Sequence, residues 1–503
     1  MDIFLPKDII YLICSKMKKC DVNNLKLTNK TISRKVSYFC SKNYYFRMSK
    51  IISKHLFNNF VFNFITIKNT LAKLTQVKKL IMDLNYYNHH GYYSNKIISN
   101  IDDSIATQKI NYIKNQSIFD NLTHIVCDNV GTSIQLFNFD NLIELTLCNF
   151  YYNHIKELVC QNLIKLTISA FCEKPIDNLI CPKLTELSLG YKYNQKVEHF
   201  VIPNVEKIHF GSNFNHPIEK LHVPNLTHLT FDKSKNTLNN GFNHPIEQLY
   251  APKLVCLVLS KYFNQSVDKL NCPNLTYLDL GNSFDKSIDN LDCSNLVYLN
   301  LGYNFNQPVN HLNLQKITKF KFGECFNQSI DNIVFDNLIQ LTFGDKFNTQ
   351  INNPCIKNLT HLYFGSFFEL PVNNFDFSNL IELYFDFYFN KSLENINFPK
   401  LKILELGFEY TQKIENINCP NLEHLSFGSR FDRPIEKLKC PNLKTITFGH
   451  WFNKSIDNLN CSNLMTITLY TDYRKPFHKL KEKCPNLFIK LFVIQNGNIK
   501  FIN

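Results

Sequence analysis

The chain has 503 residues, more than one compact core accommodates. Its 44% hydrophobic and 19% charged content excludes wholesale disorder. Net charge is +13, but residues 1–120 hold 19 Lys+Arg against 7 Asp and no Glu, or +12, so the remaining residues are near neutral at +1; that excludes a positive stripe along the whole chain for tracking nucleic acid.

The N-terminus, Met1-Asp2-Ile3-Phe4-Leu5-Pro6-Lys7-Asp8, has no basic start followed by a long apolar run, so an intracellular protein is expected. No uninterrupted apolar run approaches the roughly 18 residues of a membrane span. Ile9, Ile10, Leu12, Ile13 and Met17 follow Leu5-Pro6 with helical spacing. Further short helices are predicted through Val22, Leu25 and Leu27, and through Ile32, Val36, Tyr38 and Phe39. The pattern Leu5-Pro6-x-Asp8-Ile9-Ile10-x-Leu12-Ile13, then Leu25-Lys26-Leu27-Thr28-Asn29-Lys30, resembles an F-box over residues 1–48. The resemblance implies docking of a Skp1-type adaptor through Leu5, Pro6, Ile9, Ile10, Leu12, Ile13, Leu25 and Leu27, and the basic charge suits an acidic adaptor. A plain helical cap on the array is the alternative, and nucleic-acid binding by the basic segment is a third.

Residues 49–118 read as a linker with helical character and one degenerate repeat, marked by Val77, Leu80, Met82 and Tyr87; within them, 89–117 read as an insertion. From there to residue 485 the chain repeats itself. Taking the Leu of each Pro-Asn-Leu-like step as an anchor, positions run from Leu122 to Leu487, and 14 of 17 spacings equal 21 residues. The unit at Leu422 illustrates the pattern: Leu422, Leu425 and Phe427, then Gly428, Phe431, Pro434, Ile435, Leu438 and Cys440. So few inward residues cannot form a core alone, whereas stacked coils can. Leu-x-x-Leu-x-(Leu/Phe) is similar to the strand of a leucine-rich repeat. The expected fold is therefore a β-rich solenoid of about 18 stacked 21-residue coils with one parallel sheet, preceded by the small helical domain. The segments between strands leave no room for a three-turn helix.

Three positions carry specific expectations. The Gly six residues after the anchor, as in Gly302 and Gly365, predicts a bend with φ above zero. Aromatics nine after it, such as Phe214, Phe305, Phe347 and Phe431, predict a buried ring-on-ring spine. Asn one further on, as in Asn306 and Asn327, predicts a buried ladder bonding the backbone of its own coil and its neighbour. Phe214-Asn215-His216-Pro217-Ile218 and Phe305-Asn306-Gln307-Pro308-Val309 resemble the FNIP repeat, a leucine-rich-repeat-like family abundant in slime moulds and giant viruses. The spacing lengthens to 28 between Leu226 and Leu254, predicting a loop through Lys233–Asn240. Alternation of Leu487, Ile489, Leu491 and Val493 predicts a capping strand in residues 486–503.

Eight of the 17 Cys sit three before an anchor and read as a ladder of small apolar residues; no Cys-x-x-Cys pair signals zinc. No His-Glu-x-x-His, phosphate loop or nucleophile elbow is present, so neither catalysis nor a cofactor is expected. The residues two and four after the anchors point outward from the strand. His228, Tyr277, Tyr298, Lys319, His361, Tyr363, Glu382, Tyr384 and His424 form a candidate face for a protein target, although sheet propensity alone also places Tyr and Thr there. Combined with the F-box resemblance, this predicts a monomeric, non-catalytic substrate receptor of a cullin-type ubiquitin ligase. The alternative is a scaffolding solenoid without that link.

Overall fold

The computed structural model describes residues 46–47, 79–83, 123–128, 140–148, 155–168, 175–234 and 241–502, the last range without 293, 311, 353–355, 471 and 496–497. They fall into two compact units, residues 1–242 with 249–251, and residues 243–248 with 252–503. The expected helices of residues 1–48 and the loop over 235–240 lie outside the described residues.

In the first unit the strands Lys79–Asp83, His124–Asp128, Glu144–Cys148, Lys165–Ile168, Glu186–Leu189, Lys207–Phe210 and His228–Phe231 pair in parallel, each with the next. The register puts Leu145, Leu166, Leu187, Ile208 and Leu229 side by side, all buried. Period-two alternation forces this, because a slip of one residue would turn every Leu to solvent. The described part of the degenerate repeat, the strand Lys79–Asp83, is in register with the next: Leu80 pairs with Ile125 and Met82 with Cys127. Phe46–Arg47, at the end of the segment expected to be helical, is instead a strand alongside Leu80–Ile81. The expectation of a single sheet needs correction too. Ile155–Val159 and Ile176–Ile180 form a separate two-stranded parallel sheet, in which Ile155 and Ile176, and Leu158 and Leu179, are buried in register.

The second unit repeats the arrangement from Cys256–Val258 to Thr466–Tyr470 without a break in register. Its terminal strand Phe488–Gln495 adds in parallel to Thr466–Tyr470 and turns back into the antiparallel strand Asn498–Ile502. The two extra residues before Leu487 accommodate a short helix, His478–Lys483. Asp457, buried beneath it, accepts hydrogen bonds from the Lys479 and Leu480 amides.

The aromatic spine is present. Phe305, Phe326, Phe347 and Phe431 are fully buried, and successive rings stack at about 6 Å, as for Phe326–Phe347 at 6.1 Å and Phe347–Phe368 at 6.0 Å. That exceeds the roughly 4.8 Å between strands; a second ring from the same coil packs against the spine, as Phe343 does on Phe347 at 4.0 Å.

The glycine expectation is only partly met. Gly281 and Gly302 have φ of 82° and 86°, whereas the Gly at the same place in later coils has no such backbone. At Gly365 the reason is space, because an added Cβ would lie 2.2 Å from the Gly344 carbonyl oxygen of the coil below. Coil stacking, more than turn geometry, excludes side chains there.

Asn forms a ladder, though not a buried one. Asn306 Oδ1 accepts the Asn327 amide at 2.9 Å, Asn327 accepts that of Asn348 at 2.9 Å, and all three are exposed. Each accepts from the next coil, Asn306 also from Gln328 Nε2 at 3.2 Å and Asn327 also from the Thr349 hydroxyl at 2.8 Å, and a carboxylate takes the same place: Asp285 accepts the Asn306 amide at 3.0 Å. The Asn of Pro-Asn-Leu builds a second ladder that the sequence reading missed. Asn421 and Asn442 donate to the Pro399 and Pro420 carbonyls at 2.7 and 3.0 Å. Such bonds satisfy loop carbonyls lacking a sheet partner.

The cysteine column is packed as an apolar ladder: Cys419, Cys440, Cys461 and Cys484 are buried and free. Sγ of Cys419 and Cys440 lie 3.3 Å apart. Their mutual hydrogen bond, with burial, pushes the Cys440 thiol far above the ordinary range, so it stays protonated.

Candidate functional site

The outward strand positions of the second unit place the predicted face residues in two groups. Tyr277 and Tyr298 stack at 4.2 Å with ring planes 6° apart, and Lys319 follows Tyr298 in register. Two coils beyond Lys319, His361, Tyr363, Glu382 and Tyr384 come together. The Tyr363 and Tyr384 rings stack at 4.6 Å. Both hydroxyls donate to Glu382, at 3.0 and 3.3 Å, and His361 Nε2 lies 3.6 Å from its other oxygen. His424 sits further along, its Nδ1 2.6 Å from Thr445 Oγ1. His228 lies on the strand His228–Phe231 of the first unit, with Nδ1 2.9 Å from Thr227 Oγ1.

Parallel in-register pairing explains the grouping, since equivalent residues of adjacent coils are Cα partners. Burial and the nearby carboxylates of Glu382 and Glu405 push the Tyr384 hydroxyl up to about 12. Tyr363 is raised by burial first and by Glu382 second. Glu405 is raised by burial and by the like charge of Glu382.

A carboxyl group raised in the folded state costs stability at neutral pH and ceases to do so as pH falls through its folded value. Glu405→Gln is therefore expected to raise the urea midpoint slightly at pH 7, and the gain should shrink as pH falls to about 4. Unfolding curves across that range measure it; a gain that grows on acidification contradicts the assignment.

A second exposed aromatic surface lies seven and eight residues after the anchors, where the chain leaves the strand. Phe367 is 48% exposed, Tyr388 38%, Phe408 37% and Trp451 57%. Phe367 stacks on Tyr388 at 5.2 Å and Phe387 on Phe408 at 4.7 Å. The Arg430 guanidinium sits over both Phe408 and Trp451, 5.9 and 5.5 Å from the ring centres, and contacts the Glu409 carboxylate. Backbone bonds between coils hold this rim in place: the amides of Phe367, Tyr388, Glu409, Arg430 and Trp451 donate to carbonyls of the preceding coil at 2.8–3.0 Å. None of these residues was among the predicted ones. Their signal was present as aromatics outside the core register, and it was hidden by the abundance of Phe in the spine.

Among the described residues no cluster of three or more His, Cys, Asp and Glu could hold a metal ion. No helix among them is long and apolar enough to cross a membrane. Leu5, Pro6, Ile9, Ile10, Leu12, Ile13, Leu25 and Leu27, expected from the sequence to dock an adaptor, lie outside the described residues.

No family model matches the sequence, and no curated protein does. The F-box and FNIP resemblances therefore stand on the motifs quoted above. Among solved structures, the chain is similar to CroV588, described as a novel circular leucine-rich-repeat protein: TM-score 0.55, 28% identity, 71% of this chain and 61% of that one. The match thus spans less than two thirds of CroV588. The functional domain of InlJ from Listeria monocytogenes, which includes a cysteine ladder, matches at TM-score 0.31 and 15% identity, over 81% of this chain and 72% of that one. The described chain is a parallel β-solenoid with almost no helix, similar in fold to that leucine-rich-repeat structure.

Proposed function

We propose that this chain is a non-catalytic protein-interaction receptor whose coils present a target-binding surface. The observation that carries the reading is the concentration of exposed aromatics and Arg430 on backbone held rigidly from coil to coil, the composition that dominates protein interfaces. The stacked tyrosines of the strand face, with His361 and Glu382, extend the same surface chemistry.

The finer reading is a substrate receptor of a cullin-type ubiquitin ligase acting inside the cell. Its F-box-like segment, residues 1–48, would dock a Skp1-type adaptor, and the coils of 119–485, closed by the segment 486–503, would hold the target. Such a receptor supplies proximity to a ligase rather than chemistry. The motif from Leu5 to Lys30 supports it. Without that motif the array would read as a scaffold.

Capture of a purified Skp1-type adaptor by the full chain tests this. Wild type is expected to retain adaptor, and Leu5→Ala/Pro6→Ala to lose about tenfold in affinity or more. Absence of capture by wild type rejects the ligase link and leaves the scaffold.

A further inference from the structure

We propose that the rim formed by Phe367, Phe387 and Tyr388, edged by Asp345, Asp386 and Glu369, receives an arginine side chain from an extended segment of a partner protein. The inference rests on the receptor reading and names the partner's chemistry.

Three observations converge on it. First, the rings are aromatic surface left over after the core is complete. The spine rings Phe347, Phe368 and Phe389 are buried, and Phe367 and Tyr388 lie outside that column with substantial exposure. An exposed ring pair on a fixed backbone offers area without an ordering cost on binding.

Second, the local charge is negative. Asp345, Asp386 and Glu369, joined by Glu409, stand in these coils against Lys346 and Lys391, and Arg430 contacts Glu409. Asp345 and Asp386 converge on Ser366, whose hydroxyl lies 2.9 and 2.7 Å from their oxygens. One hydroxyl has one hydrogen to give, so the two carboxylates share it and retain acceptor capacity for a cation.

Third, the array contains its own example of the binding mode. Arg430, in the same row two coils beyond Tyr388, lies over Phe408 and Trp451 while contacting the Glu409 carboxylate. The rim around Phe387 and Tyr388 offers the same ingredients, rings plus carboxylate, and Arg430 lies over Phe408 and Trp451 rather than over Phe367, Phe387 or Tyr388. Arginine suits it better than lysine because a planar guanidinium stacks on rings and meets a carboxylate through two N–H groups.

Calorimetric titration of the full chain with acetyl-Gly-Arg-Gly-Arg-Gly-amide at low ionic strength tests the proposal, with the Glu-for-Arg peptide as control. Saturable binding of the arginine peptide alone is expected. Affinity should fall by about tenfold in Asp345→Asn/Asp386→Asn and in Phe387→Ala, and fall on adding salt. The paired Asn substitution preserves shape, and unchanged circular dichroism certifies folding. Failure of the arginine peptide to bind, equal binding of the acidic peptide, or unchanged affinity in the carboxamide variant each overturns the assignment. The receptor reading has a separate test in the adaptor capture and survives such a result.

Discussion

Gly302→Ala is expected to destabilise the second unit by about 3 kcal/mol or more. The position has φ of 86°, which an L side chain rarely adopts, and an added Cβ would lie 1.6 Å from the Gly281 carbonyl oxygen. Neither problem can be solved within one coil, because the obstacle is backbone belonging to the coil below. In a stacked array each coil contacts only its neighbours, so a weakened junction divides the stack into blocks that unfold separately. Trp451 is the sole tryptophan, and its anchor Leu443 lies seven 21-residue spacings beyond Leu296. Urea unfolding followed by circular dichroism should therefore begin earlier in the variant, while the Trp451 fluorescence midpoint moves less. Coincident and unshifted curves would refute the steric account.

Phe347→Ala should cost about 3–5 kcal/mol. The ring is fully buried and packs on Phe343 at 4.0 Å, with Phe326 and Phe368 about 6 Å away on either side. Its removal leaves a cavity whose walls belong to three coils, and the hydrogen-bonded strands hold those coils at fixed spacing, so collapse is limited. Phe367→Ala, in the next coil but 48% exposed, is expected to cost less than about 1 kcal/mol. The comparison separates spine from rim: equal losses in the two variants, read from urea midpoints, would place Phe347 outside the core.

The contrast between these rings shows how far the sequence could be read. Periodicity alone identified Phe347 as core because it recurs with the same neighbours every 21 residues. It could not identify Phe367 as surface, since the positions seven and eight after the anchor vary in kind from coil to coil: Asp345-Lys346, Ser366-Phe367, Phe387-Tyr388. Positions that vary within a regular array carry no periodic signal, and their neighbours come from adjacent coils.

The predicted strand face illustrates the same limit. His361, Tyr363, Glu382 and Tyr384 alternate along their strands with the buried Leu362 and Leu383, yet the contacts that gather them on the Glu382 carboxylate depend on side-chain reach between paired strands. The aromatic count likewise said nothing about which tyrosines would be half-buried by one another.

What the amino-acid order determined unaided was the repeat, the strand and the buried column of rings, because a fixed period obliges equivalent residues to share an environment once coils stack. The tertiary structure decided why glycine is required at Gly365, where a neighbouring carbonyl occupies the space of a Cβ. It also decided that Asn306 bonds the next coil from an exposed position, and that Phe367, Tyr388 and Arg430 form a rigid rim. Those features arise between coils, from distances of a few ångströms separating residues about twenty apart in the chain.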